Sequence, residues 1–155
     1  MKYPILLSLF LACQFAMAQT TKITTFDDLM ASLNAGARVR VVIHYAKCTR
    51  PPEEAGEGAI PEATSGMNIG TYEHFAAGAV HNKLAFVVFA NSELIRNPIG
   101  KGFVYNYGKV RVNADQTVKV TAKYLNPRNF KELMTETFNC KLNDGIGNEG
   151  VFLYK

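Results

Sequence analysis

Tryptophan is absent from this 155-residue sequence, and cysteine occurs only three times. Without tryptophan, ten phenylalanines and seven tyrosines must supply the large apolar side chains of the core. Charged residues make up only 19% of the chain against 48% hydrophobic residues, which excludes an intrinsically disordered protein. The sequence also lacks closely spaced Cys/His pairs, a glycine-rich phosphate loop and a Ser-His-Asp order. These absences argue against a zinc finger, a dinucleotide-binding fold and a serine hydrolase.

The one long apolar run lies at the N-terminus and has the form of a secretory signal peptide. A single lysine precedes this run, and Ala16 and Ala18 give the A-x-A pattern of a cleavage site. The run is too short to span a bilayer stably, and no later segment reaches transmembrane length. We therefore predict that residues 1–18 are a signal peptide and that residues 19–155 form the mature domain. Lipoprotein processing at Cys13 and an uncleaved anchor are the two alternatives.

Removal of the signal peptide leaves two cysteines, Cys48 and Cys140. An even pair in an exported chain predicts one disulfide, which would close a loop of about 90 residues and contribute roughly 4–5 kcal/mol. A catalytic Cys48 would need a nearby base, and His44 lies about 13 Å away if the segment is a strand. A zinc site would need further closely spaced ligands. The sequence therefore favours a disulfide over a nucleophile or a metal ligand.

The pattern of apolar residues predicts one N-terminal helix followed mainly by strands. Thr25 is placed to cap a helix whose residues Phe26, Leu29 and Leu33 share one face, and Gly36 is a natural end. Strands are predicted over residues 39–45, 67–75, 84–90, 103–112, 117–125, 137–142 and 151–154.

Two connecting regions stand out. Residues 49–66 contain three prolines and four glutamates and are predicted to form a long surface loop. Asn126 and Pro127 resemble the cap and first position of a second, short helix that ends near Met134.

Neighbouring strands without crossover helices favour an antiparallel meander. We therefore predict an α+β fold in a single domain. It consists of a mostly antiparallel curved sheet or half-barrel of about six or seven strands, an N-terminal helix and a short late helix. The disulfide would join the end of the first strand to the penultimate strand.

The order of these features resembles the VirK family of small exported bacterial proteins. The features are a short helix ending at Gly36, then Val39, Ile43 and Cys48, a basic strand pair, Asn126-Pro127, Phe130, and Cys140 before a glycine-bearing terminal hairpin. The resemblance covers most of the mature chain, and the two cysteines are its most distinctive part. It implies a periplasmic or secreted location and a link to virulence and host interaction. It brings no catalytic residues, and the loop after Cys48 is longer and more acidic than the family pattern.

Aromatic and polar residues on several predicted strands form a candidate ligand-binding set. These residues are Tyr45, Tyr72, His74, Tyr105 and Tyr107. Tyrosines on the concave face of a curved sheet can combine apolar rings with orienting hydroxyls. The alternative is that these side chains simply fill the core of a protein without tryptophan.

Two further groups of residues are weaker candidates. His44 and His74 would form a metal site only if their strands meet, so no metal or other cofactor is predicted. Lys109, Arg111, Lys119 and Lys123 are predicted on the outer face of a hairpin, where they would either bind an anionic surface or simply remain solvated. Nucleic acid is excluded as a partner because the chain is predicted to be exported and shows no aromatic-basic recognition motif.

These patterns predict a non-enzymatic accessory protein, periplasmic or secreted, that binds a ligand or protein of the bacterial envelope or the extracellular space. The alternative is a small periplasmic hydrolase that uses His44 or His74 with a neighbouring carboxylate. The sequence identifies neither the ligand nor the oligomeric state.

Overall fold

The computed structural model describes residues 20–52 and 58–155. In this part of the chain, nine strands form two antiparallel sheets, and there is one α-helix. The predicted signal peptide and residues 53–57 of the acidic loop lie outside the described residues. Within the described residues, no helix has the length and apolarity needed to cross a membrane.

The strands are divided between a four-stranded sheet and a five-stranded meander. The first sheet has the order β1-β9-β2-β3 and contains β1 (Lys22–Ile23), β9 (Val151–Tyr154), β2 (Val39–His44) and β3 (Thr64–Ile69). The second has the order β4-β5-β6-β7-β8 and contains β4 (Tyr72–Phe75), β5 (Phe86–Arg96), β6 (Phe103–Asn113), β7 (Thr117–Leu125) and β8 (Glu132–Lys141).

The N-terminal helix α1 (Phe26–Asn34) forms as its sequence predicts. The hydroxyl of Thr25 accepts a hydrogen bond from the amide of Asp28 at 3.1 Å, which satisfies one free donor of the first turn. Phe26, Leu29 and Leu33 are all buried, so the helix contributes one apolar face to the core.

The core lies between the inner faces of the two sheets. Alternate residues of β2, including Val41 and Ile43, are fully buried on one side. Val110 and Val120 are the corresponding buried residues on β6 and β7. Since side chains alternate along a strand, this pattern leaves Lys109, Arg111, Lys119 and Lys123 on the outer face of the five-stranded sheet.

The prediction of a single strand over residues 67–75 is wrong, because the chain changes sheets within that range. Strand β3 ends at Ile69 and β4 begins at Tyr72 in the other sheet. Gly70 and Thr71 make the crossing. The glycine marks the point where the chain leaves one sheet.

The predicted late helix is also wrong. Residues 126–131 form a turn in which the amide of Phe130 donates to the carbonyl of Asn126 at 2.8 Å, and β8 begins at Glu132. The β-branched Thr135 and Thr137 favour a strand, and Leu133 is 54% exposed, so the apolar spacing does not mark a buried helical face.

The fold is therefore mostly β, with two open sheets and one helix in the described chain, rather than one curved sheet with two helices. Two isolated bridges join the sheets near the end of β8. Thr49 pairs with Asn139, and Leu142 pairs with Val151. The predicted antiparallel meander is confirmed for the five-stranded sheet.

Candidate functional site

The predicted disulfide between Cys48 and Cys140 is present, with a Cα–Cα distance of 4.5 Å. Both cysteines are buried. Next to them, Thr49 and Asn139 exchange two backbone hydrogen bonds at 2.8 and 2.7 Å. The covalent bond and this backbone pair fix the segment after β2 against β8.

A surface cavity of about 800 Å³ lies beside the disulfide, and ten of its twelve lining residues have charged or polar side chains. Its charged residues are Lys47, Arg111, Lys119, Lys141 and Glu149. Its polar residues are Thr49, Asn113, Thr117, Asn139 and Asn148. Four cations and one carboxylate give this cavity a positive field, which favours an anionic ligand.

Strand register determines where the four cations lie. Arg111 on β6 is directly opposite Lys119 on β7, and Lys141 on β8 is opposite Thr117. The neighbouring Val112 and Val118 are buried on the other face, so the cationic side chains point outward. Lys47 enters from a 3-10 turn over Tyr45–Lys47, immediately before Cys48.

Two of the four cations face each other across adjacent strands. Like charges directly opposite each other on adjacent strands destabilise a sheet, and Arg111 and Lys119 are such a pair. The ion pairs formed between described residues, Arg50–Glu136 and Lys123–Glu132, lie outside the cavity.

Arg111 is held in place before any ligand arrives. Its guanidinium carbon lies 3.6 Å from the centroid of the Phe86 ring, and its Nε donates to Asn113 Oδ1 at 2.9 Å. Asn113 is fixed in turn because its Nδ2 donates to Thr117 Oγ1 at 2.9 Å. The terminal guanidinium nitrogens form no hydrogen bond with a described residue, so they are available for bidentate contact with an oxyanion.

Tyr45 and Tyr107 of the predicted tyrosine set border one small cavity between the two sheets. The hydroxyl of Tyr45 is hydrogen-bonded to Ser65 Oγ at 2.9 Å, and its ring centroid lies 4.7 Å from that of Phe138. Burial raises the pKa of Tyr45 above its usual value of 10.0. This cavity measures about 70 Å³, too small for most ligands.

The other three residues of that set lie elsewhere. Tyr72 on β4 packs against the main core, and the ring of His74 lies 6.3 Å from that of Phe26. Tyr105 is on the outer face, where it stacks on Phe130 at 5.8 Å. The structure does not bring the five residues together in one pocket, and their role in binding stays a prediction.

The histidines considered for metal binding or hydrolysis lie in different sheets. His44 is on β2, where its Nδ1 is 3.0 Å from Thr64 Oγ1, and His74 is on β4. Among residues 20–52 and 58–155, no group of three His, Cys, Asp or Glu side chains is placed to hold a metal ion. No histidine there forms an ion pair with a described carboxylate.

Sequence reasoning identified Arg111 and Lys119 as outward-facing cations but did not connect them with Lys47 and Lys141. The sequence nevertheless indicates that these two lysines are close together, since Lys47 directly precedes Cys48 and Lys141 directly follows Cys140. Once the disulfide is predicted, these flanking lysines must lie close to each other.

Comparison with known proteins gives two findings. The family model described as VirK protein matches residues 22–130. A crystal structure of lpg1832, a VirK family protein from Legionella pneumophila, is similar with a TM-score of 0.66 and 18% identity. The match covers 86% of this chain and 98% of that one. No curated protein matches the sequence.

The structural likeness shows a shared fold, and the family model covers well over half of the chain. The resemblance noted from the cysteines and the order of the elements is thus confirmed, and this chain belongs to the VirK family.

Proposed function

We propose that this protein is an exported, non-enzymatic accessory protein that binds an anionic ligand in the cavity beside the disulfide. The single observation that carries the proposal is the set of four cations around that cavity, with no ion-pair partner among the described residues. Location in the periplasm or outside the cell rests on the predicted signal peptide. The link to host interaction rests on what the VirK resemblance implies.

The lining suits phosphate, sulfate or carboxylate groups. Arginine binds such oxyanions through paired N–H donors, while lysines act as point charges. The amides of Asn113 and Asn139 and the hydroxyl of Thr49 add neutral hydrogen-bonding groups. A volume of about 800 Å³ is in the range of small-molecule sites. The ligand class is therefore a small polyanion or the end of an anionic glycan.

Isothermal titration with inorganic phosphate and with a sulfated disaccharide tests this proposal. Arg111→Gln should weaken binding by about 10- to 100-fold, because it removes charge-assisted hydrogen bonds. Lys109→Gln is the matched control, since Lys109 lies two residues away on the same outer face but does not line the cavity. Equal affinity in the three proteins, or no binding by the wild type, would contradict the proposal.

Export has a separate test. Mass spectrometry of the protein from fractionated cells should find a chain beginning at Gln19 in the periplasm or the medium. A full-length chain confined to the cytoplasm would overturn this part of the proposal.

A further inference from the structure

The cavity beside the disulfide, called the anion cavity from here on, lies at one end of the five-stranded sheet. Two hairpin loops lie side by side at the opposite end of this sheet. Residues 97–102 connect β5 to β6, and residues 126–131 connect β7 to β8. Strand β6 runs from Phe103 at this end to Asn113 at the cavity, a distance of about 33 Å. We call residues 94–103 and 123–133 together the tip.

Both loops have the same internal support. Each begins with Asn-Pro, and each asparagine side chain accepts a backbone hydrogen bond two residues on: Asn97 from Ile99 at 3.1 Å and Asn126 from Arg128 at 2.9 Å. The backbone N–H of Asn97 also donates to the backbone carbonyl of Gly102 at 2.9 Å. Preformed loops lose little conformational entropy when they bind a surface.

The tip exposes large apolar side chains. It holds five of the eight exposed large hydrophobic residues of the described chain: Leu94, Ile99, Phe103, Phe130 and Leu133, each between 54% and 74% exposed. Tyr105, directly opposite Leu94, connects them by stacking on Phe130. A concentration of exposed apolar side chains of this kind marks an interaction site.

Phe130 adds a separate observation. Its φ of 58° lies in the left-handed region, where glycine or asparagine is favoured over a bulky side chain. The side chain is 64% exposed and stacks on Tyr105 at the surface, so burial in the core does not repay this cost. A strained, exposed aromatic residue is typical of a functional position.

The tip is also strongly basic. Its residues include Arg96, Lys101, Lys123, Arg128 and Lys131 against a single acid, Glu132. This net charge of +4 equals the formal net charge of the whole chain, so the rest of the sequence balances to zero.

We propose that the tip docks on an anionic phospholipid bilayer. Exposed apolar side chains in the two loops and at the adjoining strand ends reach the boundary between head groups and acyl chains, while the surrounding cations bind the negatively charged head groups. The two loops border a cavity of about 560 Å³ whose lining combines Leu94, Phe103 and Leu133 with Lys101 and Arg128. This mixture of apolar and cationic groups matches the acyl chains and anionic head groups of a lipid surface. Docking in this orientation holds the anion cavity about 33 Å from the membrane.

Co-sedimentation of the mature protein, residues 19–155, with vesicles of phosphatidylcholine alone or with added phosphatidylglycerol tests this inference. We expect binding only to the anionic vesicles, with partitioning reduced about fivefold by Arg128→Gln and at least about tenfold by Phe130→Asn. Because asparagine is favoured at positive φ, Phe130→Asn should keep or raise the melting temperature. The matched control is Ile146→Ser, which removes a 95% exposed apolar side chain outside the tip.

Three results would overturn the inference: no wild-type binding to anionic vesicles, equal binding to both vesicle types, or equal losses for Phe130→Asn and Ile146→Ser. Loss of a wild-type dimer in Phe130→Asn, without any vesicle binding, would assign the tip to self-association instead. Phosphate binding in the distant cavity should be unchanged in Phe130→Asn, so the two proposals fail independently.

Discussion

Tyr45 shows how one side chain can belong to both the core and a cleft. Sequence reasoning chose it as a ligand contact and named the core as the alternative. In the structure its ring packs on Phe138 while its hydroxyl reaches Ser65 at the edge of a small cavity. Strand alternation alone cannot separate these roles, because tyrosine has an apolar ring and a polar end.

The raised pKa of Tyr45 makes stability depend on pH. The folded state holds the phenolic proton of Tyr45 more tightly than the unfolded state does. The resulting contribution to the free energy of unfolding is therefore fully present below pH 10 and is lost as pH rises through the pKa of the folded state. Urea denaturation at pH 8 and pH 11 should show a larger loss in wild type than in Tyr45→Phe. At pH 8 the variant should be about 1 kcal/mol less stable, since it lacks the hydrogen bond to Ser65. Parallel losses in both proteins would contradict this account.

Gly150 illustrates a residue whose small size is required by its neighbours. A Cβ at this position would lie 2.7 Å from the sulfur of Cys48 and 3.1 Å from the carbonyl oxygen of His44. Both atoms are held by the disulfide and by strand β2, so Gly150→Ala should destabilise the protein by about 1–3 kcal/mol. Gly70→Ala, where nothing lies within 4 Å, is the control in chemical denaturation. Equal stability of both variants would refute the predicted contact.

At the scale of elements, the sequence correctly predicted helices and strands whose apolar residues are regularly spaced. The predictions were wrong where the chain changes direction. The helix α1 and the hairpin of β6 and β7 follow their apolar periods closely. The crossing at Gly70 is invisible because strand-favouring residues lie on both sides of the glycine, Ile69 before it and Thr71, Tyr72 and Phe75 after it, whichever sheet they join. Asn126-Pro127 starts a turn as readily as a helix, so the apolar spacing that follows was misleading.

Helix α1 contains a buried polar atom that offers a test of its packing. Ser32 is 3% exposed, and its hydroxyl oxygen has no hydrogen-bond partner among the described residues. Ser32→Ala removes this unsatisfied group and improves helix propensity, so the free energy of unfolding should rise by roughly 1 kcal/mol. Thermal denaturation measures the change. A lower melting temperature would show that the hydroxyl is satisfied in solution.

At the scale of the whole molecule, the disulfide was the only long-range contact that the sequence could predict. The pairing of β1 with β9 joins residues near the two ends of the described chain, and no local pattern encodes it. The anion cavity likewise combines side chains from the turn before Cys48, from β6, β7 and β8, and from the loop before β9. Sequence reasoning therefore found two of its four cations but not the cavity itself.

Loss of the disulfide should destabilise the whole fold. Cys48 and Cys140 are 92 residues apart, a loop for which chain entropy predicts roughly 4–5 kcal/mol. In urea denaturation, the free energy of unfolding of a Cys48→Ala/Cys140→Ala double variant should be lower than that of wild type by most of this amount. Thiol alkylation without reductant should label neither cysteine of the wild type. Labelling of both, or an unchanged unfolding curve, would contradict a structural disulfide.

The most direct test of the account is an NMR titration of the ¹⁵N-labelled protein with inorganic phosphate at low ionic strength. We predict saturable amide shifts confined to residues around the cavity, above all Lys47, Arg111, Lys119 and Lys141, with little change at Lys109. An absence of shifts, or shifts spread evenly over every exposed cation, would show that the disulfide does not assemble an anion site.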